Sequence, residues 1–238
     1  LTIAIRKITD DLIDELHSLQ FNKPVTTVYN PLVYARKSHF RYLEKYGRGK
    51  REIVLIGMNP GPWGMVQTGV PFGDVSMVRN WIGIEEPVGK PDKEHPKRPI
   101  MGFDCPRSEV SGTRLWGWAR DRFVTPERFF KRFYVANYCP LCFMEYSGRN
   151  LTPDKIPPQE RLSLFTVCDR ALKRYIKYFQ PRYVIGIGRF AEKRARAVLG
   201  GFDLTIGGIP HPSPANPAAN KGWAEAVTKS LRDCGITL

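Results

Sequence analysis

The sequence predicts an α/β protein, a three-layer α/β/α sandwich with a mainly parallel, four-stranded central sheet, built as one domain over residues 1–238. Three observations lead there. Four short apolar segments recur along the chain, and helical segments separate them in a βα alternation. Short strands joined through helices favour a parallel sheet covered on both faces. The 238 residues, 42% of them hydrophobic, suffice for one full core, although two smaller domains also fit the length.

Thr9 to Leu19 reads as the first helix, with Thr9 in the capping position and Leu12, Leu16 and Leu19 on one face. Asn30-Pro31 then breaks the chain before a basic, aromatic helix from Tyr34 to Tyr46. Ile53 to Ile56 is the first buried strand, and it runs into Gly57-Met58-Asn59-Pro60-Gly61-Pro62. Two prolines restrict φ there and two glycines admit tight geometry, so Asn59 is carried on a rigid turn. Open α/β sheets bind their ligands at such carboxyl ends of strands.

Val75 to Ile84 reads as a short helix. The polar, proline-rich stretch Glu85 to Pro99 reads as a surface excursion in which His95 is solvated. Ser111 to Phe123 fits a helix whose Trp116 and Trp118 fill the core or line a cleft. Phe133 to Asn137 is the second strand and delivers Asn137 at its carboxyl end, as the first delivers Asn59. A helix from about Pro158 to Phe179 starts near a proline pair, which suits a helix start. Tyr183 to Ile187 is the third strand and Arg189 to Leu199 a helix with a basic outer surface. The segment FDLTIGGIP carries the fourth strand into His211, and a final helix spans Pro217 to Leu231.

The balance of 37 Lys+Arg against 23 Asp+Glu gives a formal net charge of +14, a field that favours a polyanionic partner, nucleic acid first. No apolar run reaches membrane-spanning length and the N-terminus lacks a basic region followed by an apolar block. A soluble, unexported protein without a membrane partner is expected: cytoplasmic and acting at the nucleoid in a bacterium, nuclear in a eukaryote. Five scattered cysteines do not suggest a disulfide framework. Cys139-Pro-Leu-Cys142 has no second pair and no histidine at ligand spacing, so no metal is expected. Gly186 to Phe190, GIGRF, lacks the full dinucleotide pattern, so neither NAD nor ATP is supported and no cofactor is expected.

The chemistry converges on four residues. His211 and Ser213 alternate with Pro210, Pro212 and Pro214, so the chain is stiff where it presents them. Asn59 and Asn137 are amides, able to offer a donor and an acceptor together to the edge of a pyrimidine, and Phe72 can stack on its face. An imidazole at His211 can donate to an oxygen that gains charge as a base departs, while Asn59 places a water on the opposite side. No carboxylate among these candidates supplies a strong general base, and a cluster of acidic metal ligands, which a phosphate-ester nuclease needs, is missing. A nucleic-acid-binding domain that holds an unpaired pyrimidine without cutting it remains the alternative.

Four motifs carry a resemblance: GMNPGPWGMVQTGVPFG from Gly57 to Gly73, NYCPLCF from Asn137, SGRNLTP from Ser147, and HPSPANPAANKGW from His211. In this order the sequence resembles the single-strand-selective monofunctional uracil-DNA glycosylases, within the wider uracil-DNA glycosylase superfamily, over nearly the whole chain. The resemblance implies the fold of that superfamily and hydrolysis of the N-glycosidic bond of uracil, or of an oxidised 5-substituted uracil such as 5-hydroxymethyluracil, in single-stranded and double-stranded DNA. An abasic site is the product, no lyase step follows, and the enzyme acts as a monomer in base excision repair. The resemblance gives water positioning to Asn59, stacking to Phe72, base reading to Asn137 and leaving-group stabilisation to His211. It puts Met58 and Gly61 in the base pocket, Gly61 leaving room near pyrimidine C5. It puts the DNA-binding wedge on Ser213, Pro214, Ala215, Asn216 and Lys221. Ala215 departs from the pattern, which commonly has arginine there.

Overall fold

Ile53–Gly57 and Tyr183–Ile187 are buried at every residue, which is why both read as unbroken apolar runs rather than as alternating ones. They are the two central strands of the sheet. In the computed structural model, which describes residues 2–238, the chain begins with α1 (Thr2–His17), β1 (Thr27–Tyr29), α2 (Pro31–Tyr34) and α3 (Arg36–Tyr46). Strand β2 (Ile53–Gly57) leads to the short helices α4 (Met65–Thr68) and α5 (Val75–Met77), and α5 continues as a π-helical turn, Val78–Ile82. Helices α6 (Val110–Phe123) and α7 (Pro126–Arg132) precede β3 (Phe133–Asn137), β4 (Cys142–Met144) and β5 (Asn150–Leu151). The long α8 (Pro158–Phe179), β6 (Tyr183–Ile187), α9 (Arg189–Leu199), β7 (Thr205–Ile209) and α10 (Trp223–Asp233) follow.

The main sheet has the order β3-β2-β6-β7, and every neighbouring pair in it is parallel. Helix α9 packs on β6 and β7, α10 on β7 and α7 on β3, which gives the α/β/α sandwich. A second, antiparallel sheet of order β1-β4-β5 was not foreseen. Its strands are two or three residues long, too short for any period to register. Among the described residues no helix is long and apolar enough to cross a membrane.

Several local expectations are corrected. Helix α1 begins at Thr2, so Thr9 is not its cap; it is buried mid-helix and donates from Oγ1 to the Ile5 carbonyl at 3.1 Å. Asn30-Pro31 starts a helix as well as breaking the chain, since Asn30 Oδ1 accepts the Leu32 N–H at 3.1 Å and Pro31 opens α2. The final helix is split: a 3₁₀ turn, Pro217–Lys221, ends at Gly222, whose φ of 124° reorients the chain into α10. His95 is not solvated but only 3% exposed. Its Nδ1 accepts the Lys97 N–H at 3.1 Å, which leaves Nε2 to donate to the Tyr146 carbonyl at 3.1 Å. Its own backbone N–H donates to Tyr29 Oη at 2.7 Å, so this histidine ties the surface excursion to β1.

His39 is also buried, and its Nδ1 donates to the Gly69 carbonyl at 2.9 Å. Burial is the main cause that lowers its pKa from 6.5 to about 4. A depressed histidine pKa means that the unfolded chain binds the proton more readily. The stability tied to neutral His39 is therefore complete above pH 6.5 and is lost as pH falls toward about 4. The loss is on the order of 3 kcal/mol. Urea unfolding from about pH 7 to about pH 4 should show this fall, and His39→Asn, which keeps a donor for Gly69, should flatten it. An equally steep fall in the variant would assign the acid sensitivity to other groups.

Candidate active site

The parallel register of β2 and β3 sets Gly57 beside Asn137 at the carboxyl ends of both strands. Asn59 follows two residues beyond β2, and His211 two residues beyond β7 at the far edge of the sheet. Together with Phe72 they line one cavity of about 460 Å³, a volume suited to a small ligand or an extruded base. The rings of Phe72 and His211 lie 6.3 Å apart between centroids. Met58, Gly61 and Ser213 line the same cavity.

The close approach at Gly57 is what lets the pocket form. A Cβ there would sit 2.5 Å from Asn137 Oδ1 and 2.6 Å from the Phe72 ring. Phe72 itself has a φ of 53°, a left-handed conformation that costs a non-glycine residue free energy. Its carbonyl is held by two donors, Trp116 Nε1 at 3.0 Å and the Asp74 N–H at 2.8 Å. The buried Trp116 of α6 thus fills the core and also aims the ring.

Each polar side chain is committed on one side and free on the other. Asn59 Nδ2 donates to the Leu141 carbonyl at 3.3 Å, which leaves Oδ1 as an acceptor. Asn137 Nδ2 donates to Met65 Sδ at 3.3 Å, which fixes the amide plane and leaves one N–H and Oδ1. His211 Nδ1 accepts the Ser213 N–H at 3.1 Å, so the ring proton resides on Nε2. Burial pushes the His211 pKa below the usual imidazole value, which favours this neutral tautomer. Gly188, in the GIGRF turn, has a φ of 88°, and a Cβ there would meet the His211 Cβ at 3.1 Å. That turn packs against the histidine.

The segment beyond His211 is a braced bracket. Asn216 Nδ2 donates to the His211 carbonyl at 2.9 Å, and Ser213 Oγ accepts the Ala215 N–H at 3.2 Å. Pro214, Ala215 and Lys221 are exposed and stand outside the cavity lining. Sequence reasoning missed Arg114 of α6, which donates to the Pro212 carbonyl at 2.8 Å and to Asn220 Oδ1 at 2.9 Å. It also missed Glu109, Trp63, Asn150 and Thr152 in the cavity wall. Two of the quoted motifs contained a signal, GMNPGPWGMVQTGVPFG for Trp63 and SGRNLTP for Asn150 and Thr152. Glu109 adds one carboxylate to the cavity wall, which the fold brings in from a distant part of the chain. Among the described residues no three His, Cys, Asp or Glu side chains gather where they could hold a metal ion.

A parallel α/β/α sheet with two amides, an aromatic ring and a neutral imidazole around one cavity at its carboxyl edge describes a base-excising hydrolase. Residues 44–233 match the uracil DNA glycosylase superfamily, and the chain belongs to it. It is 48% identical over 224 residues to the single-strand selective monofunctional uracil DNA glycosylase of Mus musculus, covering 93% of this chain and 80% of that one. Identity to the protein of the same description from Bos taurus is 48% over 225 residues, covering 94% and 83%. The crystal structure of wild-type Pedobacter heparinus SMUG2 shares the fold, with a TM-score of 0.66 at 15% identity over 96% of this chain and 98% of that one. Within the superfamily this chain is of the single-strand-selective monofunctional type, a DNA repair hydrolase of the N-glycosyl bond of uracil.

Gly57→Ala tests the pocket's construction. The added methyl group must displace Asn137, Phe72 or both, and a misplacement of about 1 Å costs about a hundredfold in rate. Single-turnover release of uracil should fall by that order while the variant still melts cooperatively. A near-wild-type rate would show that the close approach is not required.

Proposed function

We propose that this chain hydrolyses the bond between deoxyribose C1′ and N1 of uracil, and of 5-hydroxymethyluracil, in single-stranded and double-stranded DNA, leaving an abasic site. The observation that carries the proposal is the pair of commitments that leave Asn59 Oδ1 an acceptor and His211 Nε2 a donor around one cavity. Phe72 offers a face for the extruded ring, and Asn137 offers Oδ1 to N3–H and its remaining N–H to O4.

As the C1′–N1 bond breaks, its electron pair passes to the base and charge gathers on O2. His211 Nε2–H donates to that oxygen, and a preorganised neutral donor aimed at developing charge is strongly stabilising. Asn59 Oδ1 accepts one hydrogen of a water and turns its oxygen toward C1′. The new C1′–O bond forms on the sugar, and the water's second proton leaves to the released base or to solvent. Asn59 cannot remove a proton, so departure of the base leads and attack by water follows.

No lysine lines the cavity among the described residues, which supports hydrolysis without a lyase step. The names of the mammalian relatives specify single-strand selectivity and monofunctional action, and both are proposed for this chain. The excess of 37 Lys+Arg over 23 Asp+Glu suits a DNA partner without selecting a base. The proposed enzyme acts as a monomer inside the cell, in the bacterial cytoplasm or the eukaryotic nucleus.

Base release under enzyme excess, measured beside DNA affinity, tests the roles. His211→Ala and Asn59→Ala should each slow release by about a hundredfold, roughly 3 kcal/mol, with a much smaller change in affinity. The double variant should lose less than the product of the two, because both groups act on one transition state. Near-native rates in both single variants would reject the assignment. Tight binding without base release by the wild type would favour a reader of unpaired pyrimidines.

A further inference from the structure

Trp63 lines the cavity, and two guanidinium groups lie over its indole ring. Arg98 Cζ is 5.2 Å from the ring centroid and Arg107 Cζ 5.1 Å. Neither arginine belongs to the cavity lining, so both stand outside it, at the rim that Trp63 forms. Among the described residues neither makes an ion pair. Arg98 spends Nη1 on the Lys97 carbonyl at 2.8 Å, and its buried Nε has no partner. Arg107 is exposed.

The backbone beneath this group is fixed from three sides. Gln67 is fully buried, and its Nε2 donates to the Pro62 carbonyl at 3.1 Å and to the Pro99 carbonyl at 3.0 Å. Its Oε1 accepts the Met101 N–H at 2.8 Å and the Gly102 N–H at 3.1 Å. One amide with all its bonding capacity used therefore ties the residue before Trp63 to the residue after Arg98. Tyr29 Oη donates to the Arg98 carbonyl at 2.7 Å, and the Arg98 N–H donates to the His95 carbonyl at 2.8 Å. Beyond Arg107, Asp74 Oδ2 accepts from Ser108 Oγ and from the Glu109 N–H, each at 3.0 Å.

We propose that Arg98, Trp63 and Arg107 form a clamp for the phosphates of the DNA strand beside the extruded nucleotide. The proposal rests on the glycosylase reading of the pocket and deepens it. No lysine or arginine lines the cavity among the described residues, so a strand that sends a base inside must leave its charged backbone at the rim. Two cations sharing one ring repel each other. The negative face of the indole offsets part of that repulsion, and a bound anion removes the rest. A guanidinium fork matches phosphate oxygens in pairs, and the ring restrains the fork before the strand arrives. Contacts of this kind position a strand without reading its sequence and need no second strand, so the clamp serves unpaired DNA as well as duplex.

The test measures affinity for a single-stranded DNA whose one deoxyuridine carries a 2′-fluorine, which resists loss of the base. Salt is varied from about 0.05 to about 0.3 M, and wild type is compared with Arg98→Gln, Arg107→Gln, Arg107→Lys and Trp63→Leu. Each glutamine variant should make the slope of log affinity against log salt shallower by about 0.7, which at about 0.1 M salt is a loss of about fivefold. Arg107→Lys keeps the charge without the fork and should keep the wild-type slope. Replacing the phosphates on either side of the deoxyuridine one at a time by neutral methylphosphonate should cost the wild type about the same fivefold. At the phosphate that an arginine holds, it should cost that arginine's glutamine variant little more. Unchanged affinity and slope in both glutamine variants overturn the clamp, as do methylphosphonate losses that are equal in variant and wild type at every position. A loss in Trp63→Leu without one in either glutamine variant overturns it too, since the ring would then be stacking on a base. Release of uracil from the unmodified strand is measured beside these. Its absence rejects the glycosylase reading, whereas intact release without coupling between arginine and phosphate rejects the clamp alone.

Discussion

At the carboxyl end of β2 the Phe72 ring and the Asn137 amide close on the point where any residue but glycine would carry its Cβ. Position 57 therefore couples the sheet to the pocket. The parallel register of β2 and β3 brings Asn137 alongside, and the missing side chain lets the stacking face and the reading edge meet at the same base. The strain at Phe72 belongs to the same arrangement. Its left-handed backbone persists because Trp116 and Asp74 hold its carbonyl, so the core packing of α6 is what aims a ring some forty positions earlier in the chain.

Preorganisation accounts for how neutral side chains can serve a demanding hydrolysis. Asn59, Asn137 and His211 each spend one polar atom on a protein partner, Leu141, Met65 and Ser213 respectively. The remaining atom keeps a single role, acceptor or donor, with little reorganisation left for the reaction itself. A histidine held by the Ser213 N–H differs in kind from one held by a carboxylate. A carboxylate partner would raise the pKa and favour imidazolium, whereas a backbone donor and burial both favour the neutral ring.

The central sheet was legible in the sequence because three of its four strands, β2, β3 and β6, are wholly or largely buried and so stand out as apolar runs between helices. Asn59, Asn137 and His211 were legible because they stand at or just past strand ends, with prolines stiffening the turns around Asn59 and His211. What was not legible depends on contacts between distant segments. Strands β1, β4 and β5 are defined by their pairing and not by any pattern of their own. His95 sits in a stretch of charged and proline residues, and its burial goes with bonds to Tyr29 Oη and the Tyr146 carbonyl that no local pattern announces. Glu109 and Arg114 look like ordinary polar residues at the start of a helix. Only the docking of α6 shows that one faces the cavity and the other braces the segment after His211.

The shape of that segment does not depend on the side chain at its tip. Arg114 holds the Pro212 carbonyl, Asn220 Nδ2 holds the Pro214 carbonyl at 2.9 Å, and Trp223 Nε1 holds the Pro210 carbonyl at 2.8 Å. An alanine at position 215 therefore leaves the bracket intact, and what it forgoes is reach. On the function proposed here, a methyl group cannot fill the space that an extruded base leaves in a duplex, so the base must be retained by Phe72 and Asn137 from inside the pocket. That deficit falls on duplex DNA, where unstacking and unpairing cost several kcal/mol. It falls least on a single strand, which has no partner strand to be left unpaired. A small residue at the tip and a pocket built for tight retention thus lead toward the same preference, for bases that are already unpaired.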